Sequence, residues 1–542
     1  MRLLHIADDE RLSLVEFIED DIPPYAILSH TWGPDSEELS YRDMIDGTGE
    51  QKQGYRKIRY CAEQALQNNL RYFWVDTCCS SAELTESINS MFQYYRQAIV
   101  CYAYLEDYPD GTLLKEGLSQ CRWFSRGWTL QELLAPGIVE FYAQGWRFVG
   151  TKHDQAAAIS RFTNIPESVL THARRDIIAE QSVSARMSWA SQRQTKRKED
   201  MAYCLLGIFD VNMPLIYGEG KKAFRRLQEE IIKRDNDLSI FAWSSVSEHQ
   251  INSLVEIFAS SPAAFEDVFD TGVHKHQLAE FSVTNRGLLL GGDFEIYGWY
   301  GERGYTEVPR HYVLLVGESK KDDSSIGIFL RKCGPGLFCR IGGLPLARLP
   351  HKSITYSAQE LMHTVYLSTD AFLKHSVNRL VSFRLDALHI PVQEHLRMRS
   401  VAPLHAWDHL DRMFLIPKPS NHNASQSVLA AQFSVTIAGY TAEMVVVCPI
   451  VCPAHHEKAP KVFLAKDHLR ETRLLFKDKA SKDGIVWEDL VKELPKLPLM
   501  NSWIYVKPKH TFKISVDLQT IDIDTDCGPI SVRSLTSSVT RV

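Results

Sequence analysis

No stretch of this sequence stays apolar long enough to cross a membrane. The longest, Met444 to Ala454, is broken by Pro449 and Pro453 and falls well short of the roughly 20 residues a span requires. A basic surplus is missing too: 61 Lys and Arg stand against 67 Asp and Glu, for a formal net charge of -6. Binding along a phosphate backbone needs the opposite balance, so no nucleic-acid partner is expected. The N-terminus MRLLHIADDERLS brings in Asp8, Asp9 and Glu10 before any signal-peptide core can form, which predicts a cytoplasmic protein. Cysteine is sparse: 11 residues, odd in number and scattered, with Cys78 beside Cys79. That excludes a secreted disulfide framework and predicts reduced, mostly buried thiols. Also absent are G-x-x-x-x-G-K-[ST], G-x-S-x-G, H-E-x-x-H and a dinucleotide fingerprint, for which SHTWG offers one glycine. Nucleotide-hydrolysing motors and the hydrolases and dehydrogenases built on those motifs recede.

What is present is an ordinary globular composition, 44% hydrophobic over 542 residues, enough for two or three cores. From Tyr25 to Tyr142 short apolar strands alternate with amphipathic helices, the pattern of a doubly wound α/β fold with a parallel sheet. The strand candidates are 25–29, 71–75, 99–105 and 138–142. Between the first two, Ile58, Cys61, Ala62, Ala65 and Leu66 share one helical face. The next helix opens with Ser80 and Glu83 at capping-box spacing and carries Leu84, Ile88, Met91, Phe92 and Tyr95 as its apolar stripe. Sheets of this kind bind ligands beyond the carboxyl ends of their strands. Those ends carry Ser29-His30-Thr31-Trp32-Gly33, Asp76-Thr77-Cys78-Cys79, and the segment leading to Glu132.

Residues 151–243 read as a helical extension of the first domain (1–150). Beyond Trp243 the apolar period falls to two, as in TFKISVDL, where Phe512, Ile514, Val516 and Leu518 point one way. This predicts an all-β, antiparallel, sandwich-like region over 244–542, divisible into 244–380 and 381–542, with the loop 417–427 as a boundary or long turn. The basic run 192–198 reads as a solvated turn. Arg186 is expected to form a buried ion pair with Glu199 or Asp200. Cys448, Cys452, His455 and His456 are irregularly spaced for zinc, and no metal or resident cofactor is expected.

The richest segment is Arg122 to Pro136, RWFSRGWTLQELLAP. It sets a single carboxylate, Glu132, among tryptophans and arginines at a helix start. One reading makes the aromatic and leucine residues core and Glu132 an exposed helix residue. The other makes Glu132 a carboxylate in a partly dry pocket, able to stabilise a developing positive charge such as that at a ribosyl carbon.

The first 243 residues resemble the fungal heterokaryon-incompatibility (HET) domain family. The resemblance is carried by AILSHTWG (26–33), FWVDTCC (73–79), SAELTESINSMFQYY (81–95), residues 122–136, RMSWAS (186–191) and EDMAYCLLGIFDVNMPLIYGEG (199–220). SVTNRGL (282–288) looks like the tail of relatives lacking nucleotide-binding and repeat modules. One departure stands out: relatives usually insert an Ile-Asp-Lys type loop after the paired cysteines, whereas here Cys79 runs directly into Ser80. Such a loop lies at a strand end, so its loss would reshape a pocket there or disable it, the latter marking an inactive, binding-only relative.

The family implies a fungal cell-death domain acting in nonself recognition, with self-association and an incompatibility partner protein. HET domains are distantly similar to TIR domains, and that similarity implies cleavage of NAD+ as a substrate at the nicotinamide-ribose bond. Glu132 would then be the catalytic carboxylate. Trp32 or Trp128 would stack on a substrate ring, Arg126 would meet the pyrophosphate, and His30 or Asp76, with Ser29, Thr31 and Gly33 beside them, would hold the ribose. The rival reading is a non-enzymatic adaptor that kills by assembly alone.

Overall fold

The computed structural model describes all residues except 19–20, 79–83, 109–116, 173–174, 245–252, 269, 273–278, 293, 300–310, 323, 351–358, 361–363, 370–384, 394, 410, 418–426, 438–439, 451–462, 466–501, 508–509, 526–527 and 542. The Ser80/Glu83 capping box, the Cys79-Ser80 junction, most of the 417–427 loop, and Cys452, His455 and His456 fall outside the described residues.

The N-terminal region is a mixed α/β unit around a sheet with a parallel centre and antiparallel edges. Among the described residues its strands are β1 (Arg2–Ile6), β2 (Leu12–Glu16), β3 (Tyr25–His30), β4 (Tyr72–Trp74), β5 (Val100–Leu105), β6 (Val139–Ala143) and β7 (Arg147–Thr151), in the order β2-β1-β4-β3-β5-β6-β7. The four strands expected from the sequence, β3 to β6, are the parallel centre. Three more lie outside that reading. β1 and β2 form an antiparallel hairpin that pairs onto β4, and β7 turns back on β6. The chain steps from β3 to β4 on one side and crosses back to β5 on the other, leaving the crevice where such sheets bind ligands at the ends of β3 and β5.

Both faces of the sheet are covered, and alternate residues show how. Ala26, Leu28, Phe73, Val100 and Tyr102 pack with Ile58, Cys61, Ala62 and Ala65 of helix α2 (Gln53–Gln67), which follows the short α1 (Tyr41–Asp46). Tyr25, Ile27, Trp74, Cys101 and Ala103 pack with Ile88, Phe92 and Tyr95 of α3 (Leu84–Gln97) on the opposite face. A strand buried on both faces reads as a continuous apolar run, as in VCYAYL of β5.

Short helices fill 156–231, and one apolar cluster runs without interruption from Leu3 through them to Leu367 in the following sheet. Trp243 therefore marks a change of pattern with no gap in packing: its indole donates to Ile257 O (2.8 Å) and its ring carries the Arg340 guanidinium 3.6 Å above it. The first sheet beyond it spans Leu254 to Leu367 and is antiparallel apart from Leu337–Ile341 against Thr364–Leu367. From Leu385 onward, among the described residues, a six-stranded and a four-stranded sheet share a second apolar core, including Trp407, Phe414, Phe433 and Val446. Ile514 and Val516 face that core, in the alternation read from TFKISVDL.

Among the described residues no helix is long and apolar enough to cross a membrane. Cys61, Cys101, Cys121, Cys204, Cys333, Cys339 and Cys448 are buried and form no disulfide.

Candidate functional site

β3 ends in Ser29 and His30 because its inward residues saturate both faces, leaving the polar ones to emerge at its carboxyl end. Ser29 is fully buried and links two parts of the site: its Oγ accepts from Trp123 Nε1 (2.7 Å) and donates to Glu132 Oε2. Trp123 lies in helix α4 (Arg122–Ser125) and Glu132 in helix α5 (Thr129–Leu134), so the aromatic stripe and the carboxylate meet at one serine. Trp123 is core, packed edge-on to Phe124 and Phe141. Glu132 is not the exposed helix residue of the first reading: only 7% of it is exposed.

Burial dominates the chemistry of Glu132. Loss of water pushes its pKa up to about 7; the Ser29 hydrogen bond opposes the rise, Asp76 adds to it, and His30 and Arg126 oppose it. The Tyr95 hydroxyl, which donates to Leu28 O (3.1 Å), also lies against this carboxylate.

A second carboxylate, one the sequence reading passed over, organises the loop after β3. Glu38 accepts from Lys57 Nζ (2.6 Å) and from the Gly33 N–H (2.6 Å), and His30 Nε2 stands 3.8 Å away. Burial alone would raise the Glu38 pKa, but His30, Lys57 and the Gly33 amide outweigh it and hold the group down at about 2. A Cβ at Gly33 would sit 3.3 Å from Glu38 Oε1, a tight contact that the carboxylate would have to move to relieve. Lys57 also donates to Thr31 O (3.2 Å), and Thr31 Oγ1 accepts weakly from Arg122 (3.5 Å).

The lock leaves Trp32 39% exposed, stacked at 6.5 Å on His30 and donating through its indole to Asp76 Oδ2 (2.5 Å). Asp76 Oδ1 and Thr77 Oγ1, beyond the end of β4, are buried with no hydrogen-bond partner among the described residues. A cleft of about 450 Å³ opens beside Trp32, lined among others by Gly33, Glu38, Lys57, Glu106 and Arg122. Glu132 is not part of that lining.

Ser29, His30, Thr31, Trp32, Gly33, Asp76 and Glu132 thus converge at the carboxyl end of the sheet. Arg126 is half-buried and close enough to act electrostatically on Glu132. Trp128 is turned elsewhere: it packs against the main core and hydrogen-bonds Asp200 in the helical segment.

That segment corrects two expectations. Arg186 pairs with Asp235 (3.0 Å) and lies over the Phe209 ring, whereas Glu199 caps the Gly218 and Gly220 amides and Asp200 accepts from Tyr217. The run 192–198 is not wholly solvated, because Arg193 within it is only 5% exposed. Sequence reasoning also missed Lys152, buried and donating to Leu133 O (3.0 Å) and Pro136 O (2.7 Å), where it holds the end of α5. Burial lowers the Lys152 pKa to about 8.

Residues 25–116 match the family described as Heterokaryon incompatibility protein (HET), and residues 222–283 match one described as a domain of unknown function (DUF8212). Among curated proteins, the chain is 50% identical over 230 residues to Vegetative incompatibility protein HET-E-1 of Podospora anserina. That stretch is 40% of this chain and 17% of the relative, so the chain spans about a sixth of the relative's length. No solved structure matches.

Proposed function

We propose, from the premise that the N-terminal region of this chain belongs to the heterokaryon incompatibility family, that the protein is a cell-death effector of nonself recognition which cleaves NAD+ at the nicotinamide-ribose bond. The observation that carries the chemistry is Glu132, buried at the carboxyl end of the parallel sheet beside an unfilled acceptor on Asp76. The TIR-like reading is supported by the strand order β4-β3-β5-β6, which is the 2-1-3-4 order of one common doubly wound class. The cleft beside Trp32 is within the size range of small-molecule sites.

Nicotinamide departs from NAD+ as a neutral base carrying the electron pair of the broken C–N bond, so no general acid is needed. An ionised Glu132 faces the oxocarbenium-like ribosyl carbon, where a fixed charge in a dry site is worth most. Water then adds to that carbon and loses a proton. Asp76 and His30 hold the ribose hydroxyls, Trp32 stacks on a ring, and Arg126 meets the pyrophosphate; Trp128 acts at most through its tie to Asp200. Self-association and an incompatibility partner are the proposed triggers.

The test is nicotinamide release from NAD+ by wild type and Glu132→Gln across protein concentrations. Wild type alone should release it, with the rate climbing as pH rises to about 7 and levelling above, because the carboxylate must be ionised. Toxicity with folded wild-type protein and unchanged cellular NAD+ would leave the adaptor as the better account.

A further inference from the structure

The turn that launches Glu132's helix is held from outside the sheet. Gly127 N–H donates to Gln194 O (2.8 Å) and Gln194 N–H donates to Ser125 O (2.7 Å), a short parallel bridge between 125–127 and the segment after Trp189. Gly127 has to be glycine for this: a Cβ would lie 2.5 Å from Thr195 Cγ2 and 3.0 Å from Cys204 Sγ. Behind the bridge lies Arg193. Its Nη1 donates to Arg126 O (2.9 Å) and Thr129 Oγ1 (3.0 Å), and its Nε to Trp189 O (3.2 Å). Thr129 Oγ1 in turn donates to Arg126 O (2.9 Å), and Thr129 is the first residue of α5. Nη2 is buried and has no hydrogen-bond partner among the described residues.

We propose that Arg193 is a positioning residue for Glu132: from the helical segment it fixes the turn 125–129 that aims α5. The inference rests on reading Glu132 as the reacting group. A guanidinium suits the role because one rigid plane brings Nη1 to two acceptors of the turn and Nε to Trp189 O, and it stays charged. The other groups facing Glu132 are Ser29 and His30 from β3, Asp76 from beyond β4, Tyr95 from α3, Cys101 from β5 and Arg126 from the turn itself. Only His30 and Arg126 among these oppose its protonation by charge, and Arg193 is coupled to it electrostatically. The helical segment is thereby part of the site and not an appendage to it.

Glu132's own ionisation tests this without relying on turnover. Infrared difference titration of full-length protein, with Glu132→Gln as the blank, reads its carboxyl band against pH. Arg193→Gln is expected to raise the midpoint so that the ionised fraction falls about tenfold below pH 7. Gly127→Ala, which pushes the turn off its support, and Arg193→Lys, which keeps charge but loses the fork, should move it the same way by less. Circular dichroism identifies which variants fold. A wild-type midpoint in the folded variants overturns the assignment. If wild type releases no nicotinamide, the NAD+ reading falls alone, since the titration still decides what Arg193 does.

Discussion

Two buried carboxylates stand at the same end of the sheet, and their surroundings drive them apart. Glu38 has an ammonium at 2.6 Å, a backbone amide at 2.6 Å and an imidazole nearby, and it is held at about 2. Glu132 receives the Ser29 hydroxyl and no ion pair among the described residues, and burial lifts it to about 7. Groups of one chemical kind pushed in opposite directions divide the labour of a site. Glu38 spends its charge inside the protein, on the shape of the loop that presents Trp32.

The largest effect should come from breaking the Glu38 side of that contrast. Lys57→Met leaves a buried carboxylate without its ammonium and is expected to cost about 3–5 kcal/mol, read by urea unfolding at neutral pH. Because Glu38 is depressed relative to an unfolded value near 4.5, its contribution is present above that value and disappears as pH falls toward about 2. The penalty of Lys57→Met should therefore shrink in acid. A cost independent of pH would mean that Glu38 does not carry the loop.

The Glu132 side predicts the opposite sign. Its folded pKa lies above the unfolded value, so the native state holds the extra proton and loses stability as pH rises from about 4.5 to about 7. Glu132→Gln removes that penalty. The variant should be more stable than wild type by on the order of 3 kcal/mol at pH 8 and by almost nothing at pH 4, measured by urea unfolding at both. A substitution that abolishes turnover while stabilising the fold marks a residue kept for activity. Equal stabilities at pH 8 would place Glu132 with Glu38 as a satisfied structural group.

Much of this was legible in the chain, for a definite reason. β3 to β6 and the faces of α2 and α3 obey local periods, so Ile58, Cys61 and Ala62 could be assigned to a buried face before any neighbour was known. The hairpin β1–β2 and strand β7 were missed because they lie outside the run of alternating strands and helices and join the sheet as antiparallel edges, paired onto β4 and β6. Ser29, Asp76 and Glu132 were findable as polar residues beyond strand ends. Glu38, Lys57, Lys152 and Arg193 were not, since a buried charge is specified by a partner 19, 16 or 64 residues away and leaves no local pattern. Arg186 makes the same point: the sequence offered Glu199 and Asp200, and only the fold selected Asp235, 49 residues away.

The smallest effect sharpens the comparison by showing what an ion pair at the rim is worth. Lys196, three residues from Arg193, reaches Asp35 in the loop after β3 at 2.9 Å, yet the two side chains are 77% and 74% exposed. It spans the same two segments that Arg193 and Glu38 organise from within, but in water, where holding two long side chains together costs nearly what their attraction returns. Lys196→Ala should change the unfolding free energy by less than about 1 kcal/mol and vanish into the noise at high salt. A larger loss would mean that the loop is clamped from its surface, and the inner lock of Glu38 and Lys57 would then share its role with an exposed pair.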